Sequence, residues 1–214
     1  MFNKGARILE FDKLREVIGD FQQLGFAKGA IELPLNCAGD QDPDNAGLEC
    51  WHANSSDQDP RYPFVKLRLQ CYDLVLDSLS VFEMNCSKVQ ATSGVPALDD
   101  PETIRSHAYE LAFASEDEMF HSTLYDWLIG RNLADDLLEV CFLTRPELKF
   151  TDLQMRPAFL EAHLRRDPPS LQKFQLLWQF YVKNGQALRA AEVLGAMAES
   201  TEYAKHENPM HALR

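Results

Sequence analysis

The chain has 214 residues, enough for one sizeable core or for a stretch of a longer superhelix. It carries 21 Lys and Arg against 33 Asp and Glu, and its net charge of −12 repels phosphate backbones and anionic lipid heads. The basic doublet Arg165-Arg166 stands beside Asp167 and makes no cluster, so direct nucleic-acid or membrane contact is not expected. No apolar run approaches a membrane span, and Glu10 and Asp12 interrupt any apolar stretch after Lys4 and Arg7, so no secretory leader is expected.

Ile8, Phe11, Leu14, Val17, Ile18 and Phe21 recur at helical spacing and predict a helix over 8–24. Gly25 breaks it, and a second helix is predicted over 27–38. Residues 40–63 are acidic, with Asp-Gln-Asp-Pro written twice, and read as an exposed loop. The helix predicted over 62–84 is the most apolar. Val65, Leu69, Tyr72, Leu76 and Leu79 form one stripe, and Leu67, Cys71, Leu74 and Val75 widen it, so neighbours are expected on more than one side. Residues 86–100, with Gly94-Val95-Pro96, read as a flexible connection before a helix over 101–114. Ser115 and Glu118 have the spacing of a capping box and open a helix over 116–129, whose apolar residues are Met119, Phe120, Leu124, Trp127 and Leu128. Gly130 is expected to end it. A helix follows over 132–141, then an irregular link over 142–156. Further helices are predicted over 157–166, 170–183 and 186–199, with Asn184-Gly185 between the last two. The tail, 200–214, has weak pattern and is expected to fray.

One grammar therefore recurs three times: a helix, a short turn at Gly25, Gly130 or Gly185, and a second, Ala-rich helix. The second helices end on related phrases, Ala30-Ile31-Glu32-Leu33, Leu137-Leu138-Glu139-Val140 and Ala191-Glu192-Val193-Leu194. So short a turn makes the two helices antiparallel. A hairpin buries one face against itself and needs the next to cover the other, which is the logic of an α-solenoid. The expected fold is all-α, a single segment of stacked antiparallel hairpins over 1–214. Its core is expected to include Trp127, Leu128, Leu137, Leu177 and Trp178, the aromatics serving as inter-helix core rather than as a partner groove.

The chemistry-bearing patterns are incomplete. Asp40, Asp42 and Asp44 match the first positions of a calcium loop, but Asn45 and Trp51 stand where Gly and Glu are needed. Cys50-Trp51-His52 has no second ligand pair at zinc-finger spacing. Asn54-Ser55-Ser56 and Asn85-Cys86-Ser87 match a glycosylation acceptor without a secretory context. Asp135, Asp136 and Glu139 read as a solvated helix face, and His107, His121 and His163 as surface or satisfied core residues. There is no nucleophile elbow, phosphate loop or dinucleotide fingerprint. Five cysteines at unrelated spacings (Cys37, Cys50, Cys71, Cys86, Cys141) read as reduced thiols of a cytosolic or nuclear protein. No catalytic residue, cofactor or metal is expected.

Several words in order resemble the nucleoporin 155/170 family of large non-FG scaffold proteins. They are Asp117-Glu118-Met119-Phe120, Leu124-Tyr125-Asp126-Trp127-Leu128-Ile129 and Leu133-Ala134-Asp135-Asp136-Leu137-Leu138-Glu139-Val140. Phe159-Leu160-Glu161-Ala162-His163-Leu164, Leu176-Leu177-Trp178-Gln179-Phe180-Tyr181 and Ala190-Ala191-Glu192-Val193-Leu194 continue them. Phe26 to Leu33 and Leu69-Gln70-Cys71-Tyr72 precede them, so the likeness covers most of residues 8–202. The stretch from Cys141 to Pro157 is longer than the family's usual link, and the tail departs from the pattern at Tyr203. The resemblance implies a piece of the family's α-solenoid, without its N-terminal β-propeller. It also implies an architectural role in the inner ring of the nuclear pore, docking scaffold and linker nucleoporins at the nuclear envelope. Helical pattern alone supports only an interaction module, such as a cytosolic vesicle-coat or co-chaperone adaptor. Apolar faces at Phe2, Ile8 and Phe11 and at Val193, Leu194 and Met197 suggest self-association through the two ends. No partner-binding surface is named by the sequence.

Overall fold

A computed structural model of the chain describes residues 10–91, 100–134, 137–138, 157–166 and 170–199. Among these, nine helices run in order: α1 Phe11–Leu24, α2 Ala27–Asp40, α3 Ala46–His52, α4 Tyr62–Ala91, α5 Pro101–Phe113, α6 Glu118–Gly130, α7 Pro157–Arg165, α8 Leu171–Lys183 and α9 Ala187–Glu199. No strand occurs among the described residues. The helices group into two compact units, and the division falls inside α6, between Leu124 and Tyr125. The expected link at 142–156, the tail at 200–214, Cys141 and most of the helix expected over 132–141 lie outside the described residues.

The 30-residue α4 is the spine of the first unit, about 45 Å long at 1.5 Å per residue. It packs against α1, α2, α3 and α5, and α2 also meets α5. Four neighbours explain its broad apolar arc, on which Cys71, Tyr72, Val75 and Leu79 are fully buried. α4 runs on to Ala91, past the expected end at 84, so the connection expected from residue 86 begins later. Cys86 is buried on its last turns, with Sγ 3.0 Å from the Pro101 carbonyl oxygen at the start of α5. The stretch expected as an acidic loop holds α3, whose seven residues are too few to show two turns of periodicity. In the second unit α8 packs on α7 and α9, around Leu160, Leu176, Phe180 and Tyr181.

Three helix–helix turns share one geometry. After α1, the Phe26 N–H donates to the Phe21 carbonyl at 2.9 Å across Gly25, whose φ is 68°. After α8, the Gln186 N–H donates to the Tyr181 carbonyl at 2.8 Å across Gly185, φ 69°. After α6, the Leu133 N–H donates to the Leu128 carbonyl at 3.0 Å, and the left-handed residue is Asn132, φ 61°. Each is a helix end closed by a six-to-one hydrogen bond through a left-handed residue. The expectation for Gly130 is thus corrected: it is the last residue of α6, and Asn132 makes the turn, because Asn tolerates positive φ through local hydrogen bonding. Asp117, not Ser115, caps α6 at its start, accepting the Phe120 N–H at 3.2 Å.

Substitutions separate these two positions. A Cβ at Gly130 meets no atom within 4 Å, so Gly130→Ala is expected to be neutral or to stabilise by up to about 1 kcal/mol. Asn132→Val, forced to positive φ, is expected to cost about 1–2 kcal/mol in urea unfolding followed by helical circular dichroism. The opposite ordering of the two variants would refute the assignment of the turn.

Candidate functional site

The most heavily constrained polar group of the first unit centres on Arg68. It lies on α4 one turn before Tyr72, so both side chains leave the same helix face. Its Nε donates to Asp42 Oδ2 at 2.6 Å, Nη1 to Asp117 Oδ2 at 2.8 Å, and Nη2 to Asn45 Oδ1 at 2.9 Å. The Tyr72 hydroxyl also donates to Asp117 Oδ2 and receives a longer contact from Arg68 Nη1 at 3.4 Å. Arg68 is 3% exposed and Asp42 1%. Asp42 lies early in the α2–α3 connection, and the Gly47 N–H on α3 donates to both its oxygens at 3.2 and 3.0 Å. Gly47 has no substitute there, since a Cβ would lie 2.9 Å from the Phe64 backbone carbonyl carbon. Asn45, at φ 53°, turns the chain so that its amide oxygen reaches the guanidinium.

The electrostatics match this closure. Burial opposes the charge on Arg68, but hydrogen bonds to Tyr72 and Asp42 and the Asp117 charge outweigh it, so its proton is held more tightly than usual. Burial, then the Asp117 carboxylate, push the Tyr72 phenol well above its ordinary range. With Arg68, Asp42 and Tyr72 almost fully buried, the group ties α4 to the α2–α3 connection and to the start of α6. Two thiols nearby are equally closed: burial raises Cys37 to about 11 and Cys71 to about 12, so neither is a thiolate near neutrality.

The second unit carries its polar groups nearer the surface. Glu161 Oε1, on α7, accepts the Tyr181 hydroxyl at 2.8 Å, Arg165 Nη1 at 3.4 Å and Arg189 Nη1 at 3.3 Å. Beside it a groove of about 310 Å³ runs between α7, α8 and α9, lined by Arg165, Phe174, Leu177, Arg189, Glu192 and Val193 among others. On α7, buried His163 places Nε2 3.2 Å from Asp126 Oδ1, which also lies 3.2 Å from Lys173 Nζ. Burial raises the Asp126 pKa, but its interactions with His163 and with Lys173 outweigh burial and leave it below the ordinary value.

Leu128, Leu137 and Leu177 are buried, at 6%, 3% and 5% exposure. Trp127 and Trp178, expected in the core, are half-buried, and Arg131 lies over the Trp127 ring at 4.2 Å. Met197, expected on an apolar end, is 7% exposed, whereas Leu194 is 45% exposed. Asp42, read as part of a solvated loop, is buried by Arg68. The sequence reading missed Arg68, Tyr72 and Asp117 as a unit, although Arg68 interrupts the apolar arc between Val65 and Tyr72. Among the described residues no three His, Cys, Asp or Glu converge as a metal site, and no helix is long and apolar enough to cross a membrane.

The charge is unevenly shared. Residues 1–124 hold ten Lys and Arg against 21 Asp and Glu, and residues 125–214 hold eleven against twelve. Helical hairpins held by a buried polar tie define an all-α helical-hairpin protein. Comparison gives the lineage: the family model "non-repetitive/WGA-negative nucleoporin C-terminal" matches residues 1–204, and the chain belongs to that family. A probable nucleoporin of Schizosaccharomyces pombe is 26% identical over 198 residues, 92% of this chain. A mutant of the Chaetomium thermophilum Nup170 CTD superposes with a TM-score of 0.74 at 25% identity, covering 93% of this chain and 35% of that one. The same organism's Nup170 CTD–Nup145N complex gives 0.70 at 25% identity over 94% of this chain and 35% of that one. The chain spans only 12–13% of the length of the fungal relatives it matches.

Two outcomes follow. Arg68→Met leaves two carboxylates without their cation, one of them fully buried, and is expected to cost about 3–5 kcal/mol in urea unfolding. A loss below about 1 kcal/mol would show that the tie does not hold the unit. For the thiols, both folded pKa values lie above the unfolded value of 9.0, so their stabilisation is complete below pH 9 and lost progressively as pH rises from there through the folded values. Between pH 9 and 11 they are expected to steepen the fall in stability by up to about 3 kcal/mol per pH unit, and a Cys37→Ala/Cys71→Ala variant should lose that increment.

Proposed function

We propose that the chain is an architectural element of the nuclear pore inner ring, a helical segment at the nuclear envelope that docks other scaffold and linker nucleoporins. The family match across residues 1–204 carries this reading. It is supported by relatives named as nucleoporins and by a Nup170 CTD solved with Nup145N. The role is non-enzymatic: rigidity comes from the Arg68 tie and the hairpin turns, and recognition from exposed side chains between them. The acidic balance speaks against direct contact with nucleic acid or anionic membrane. Family membership does not favour a cytosolic coat or co-chaperone adaptor.

The chain, tagged with a fluorescent protein and expressed in budding yeast, is expected to concentrate at the nuclear rim. Crosslinking mass spectrometry should recover nucleoporins against it. A diffuse signal, with coat or chaperone subunits as the main crosslinked species, would overturn the proposal.

A further inference from the structure

We propose that the groove between α7, α8 and α9 docks a partner polypeptide segment carrying one bulky apolar side chain flanked by carboxylates. This deepens the scaffold reading, on which it rests for the partner being a polypeptide. The groove is open and of side-chain size, about 310 Å³, and its floor is the apolar set Phe174, Leu177 and Val193. At its edge two guanidiniums, Arg165 and Arg189, converge on the single oxygen of Glu161, which already accepts the Tyr181 hydroxyl. Both arginines are more than half exposed, and their contacts to Glu161, at 3.4 and 3.3 Å, are long for charge-assisted bonds. Each guanidinium therefore has donors to spare for an incoming carboxylate.

Charge complementarity decides the occupant. Residues 1–124 carry almost the whole negative excess, so an acidic segment is disfavoured there and tolerated by the near-neutral residues 125–214. Glu192 also lines the groove and opposes an acidic ligand, giving a variant with the opposite expected sign. The apolar side chain supplies affinity by leaving water, and the arginines set orientation and discrimination.

The test uses fluorescence anisotropy with the 214-residue chain and two labelled decapeptides, each with a central Leu-Phe, one flanked by aspartates and the other by lysines. The aspartate-flanked probe is expected to bind more tightly, and to weaken as salt rises. Arg189→Glu and Arg165→Glu should each weaken it about two- to fivefold or more, and exposed Glu192→Gln should tighten it by about twofold. Val193→Asp should abolish binding of both probes, with unchanged circular dichroism confirming the fold. Failure of the native chain to bind either probe would overturn the proposal, as would a preference for the lysine-flanked probe or affinities indifferent to all three charge variants. Rim localisation without probe binding would sink the groove alone, and probe binding without rim localisation would sink the scaffold reading alone.

Discussion

Burying the Arg68 guanidinium is tolerable only while Asp42, Asn45, Tyr72 and Asp117 all hold their places. Taking a charge out of water costs several kcal/mol, and its attraction to a partner repays that only in good geometry with the remaining donors met. Each partner is itself held: Asp42 by the Gly47 N–H, Asp117 by capping α6, and Tyr72 by α4. Apolar burial alone would let α4 slide or rotate against its neighbours at small cost, since Leu, Val and Cys surfaces are interchangeable in kind. The guanidinium permits one register. The physical role of this group is therefore specificity of packing more than net stability.

The hairpin turns do the same work locally. Gly25, Asn132 and Gly185 each close a helix end by a left-handed residue and a six-to-one hydrogen bond, which fixes where that helix stops. Long-range pairing through Arg68 spans 26 and 49 residues of chain, whereas the turns span five. A stack of helical hairpins needs both ranges. Turns repeated along the chain set the hairpins, and a few non-local ties stop neighbouring hairpins from shearing.

This difference in range explains what the sequence could reveal. Helical periodicity exposed the helices because apolar residues three and four apart must share a face. It failed at α3, too short to show a period, and at Asn132, whose left-handed tendency is weaker than glycine's. It stopped α4 early because the polar run Asn85 to Lys88 resembles a helix end, although no Gly or Pro follows until Gly94. The Trp127 and Trp178 rings carry large apolar surface, which periodicity counts as core, yet both are half-buried because an indole can cover a surface while facing water. Arg68 left one legible mark, a cation on the apolar arc of the most apolar helix, which calls for a buried anion somewhere. Which anion could not be read, since Asp42 and Asp117 come from two separate connections and nothing local links them to α4.

The uneven charge adds a constraint of a different kind. Unscreened repulsion among carboxylates destabilises a compact state, and the first 124 residues carry eleven more anions than cations. Two of those anions are paired with Arg68, and others, among them Asp12, Glu16 and Asp20 on α1 and Asp73 and Asp77 on α4, face water. Asp73 shows the strain: burial, then the neighbouring Asp77 one turn on, raise its pKa. A neutral surface would remove that repulsion, so the acidic excess works against folding and its use must lie outside the fold. Its plainest physical effect is exclusion, because a like-charged surface turns away acidic chains and phosphate while leaving apolar contact open to neutral or basic ones. Such repulsion selects which faces of neighbouring chains can meet.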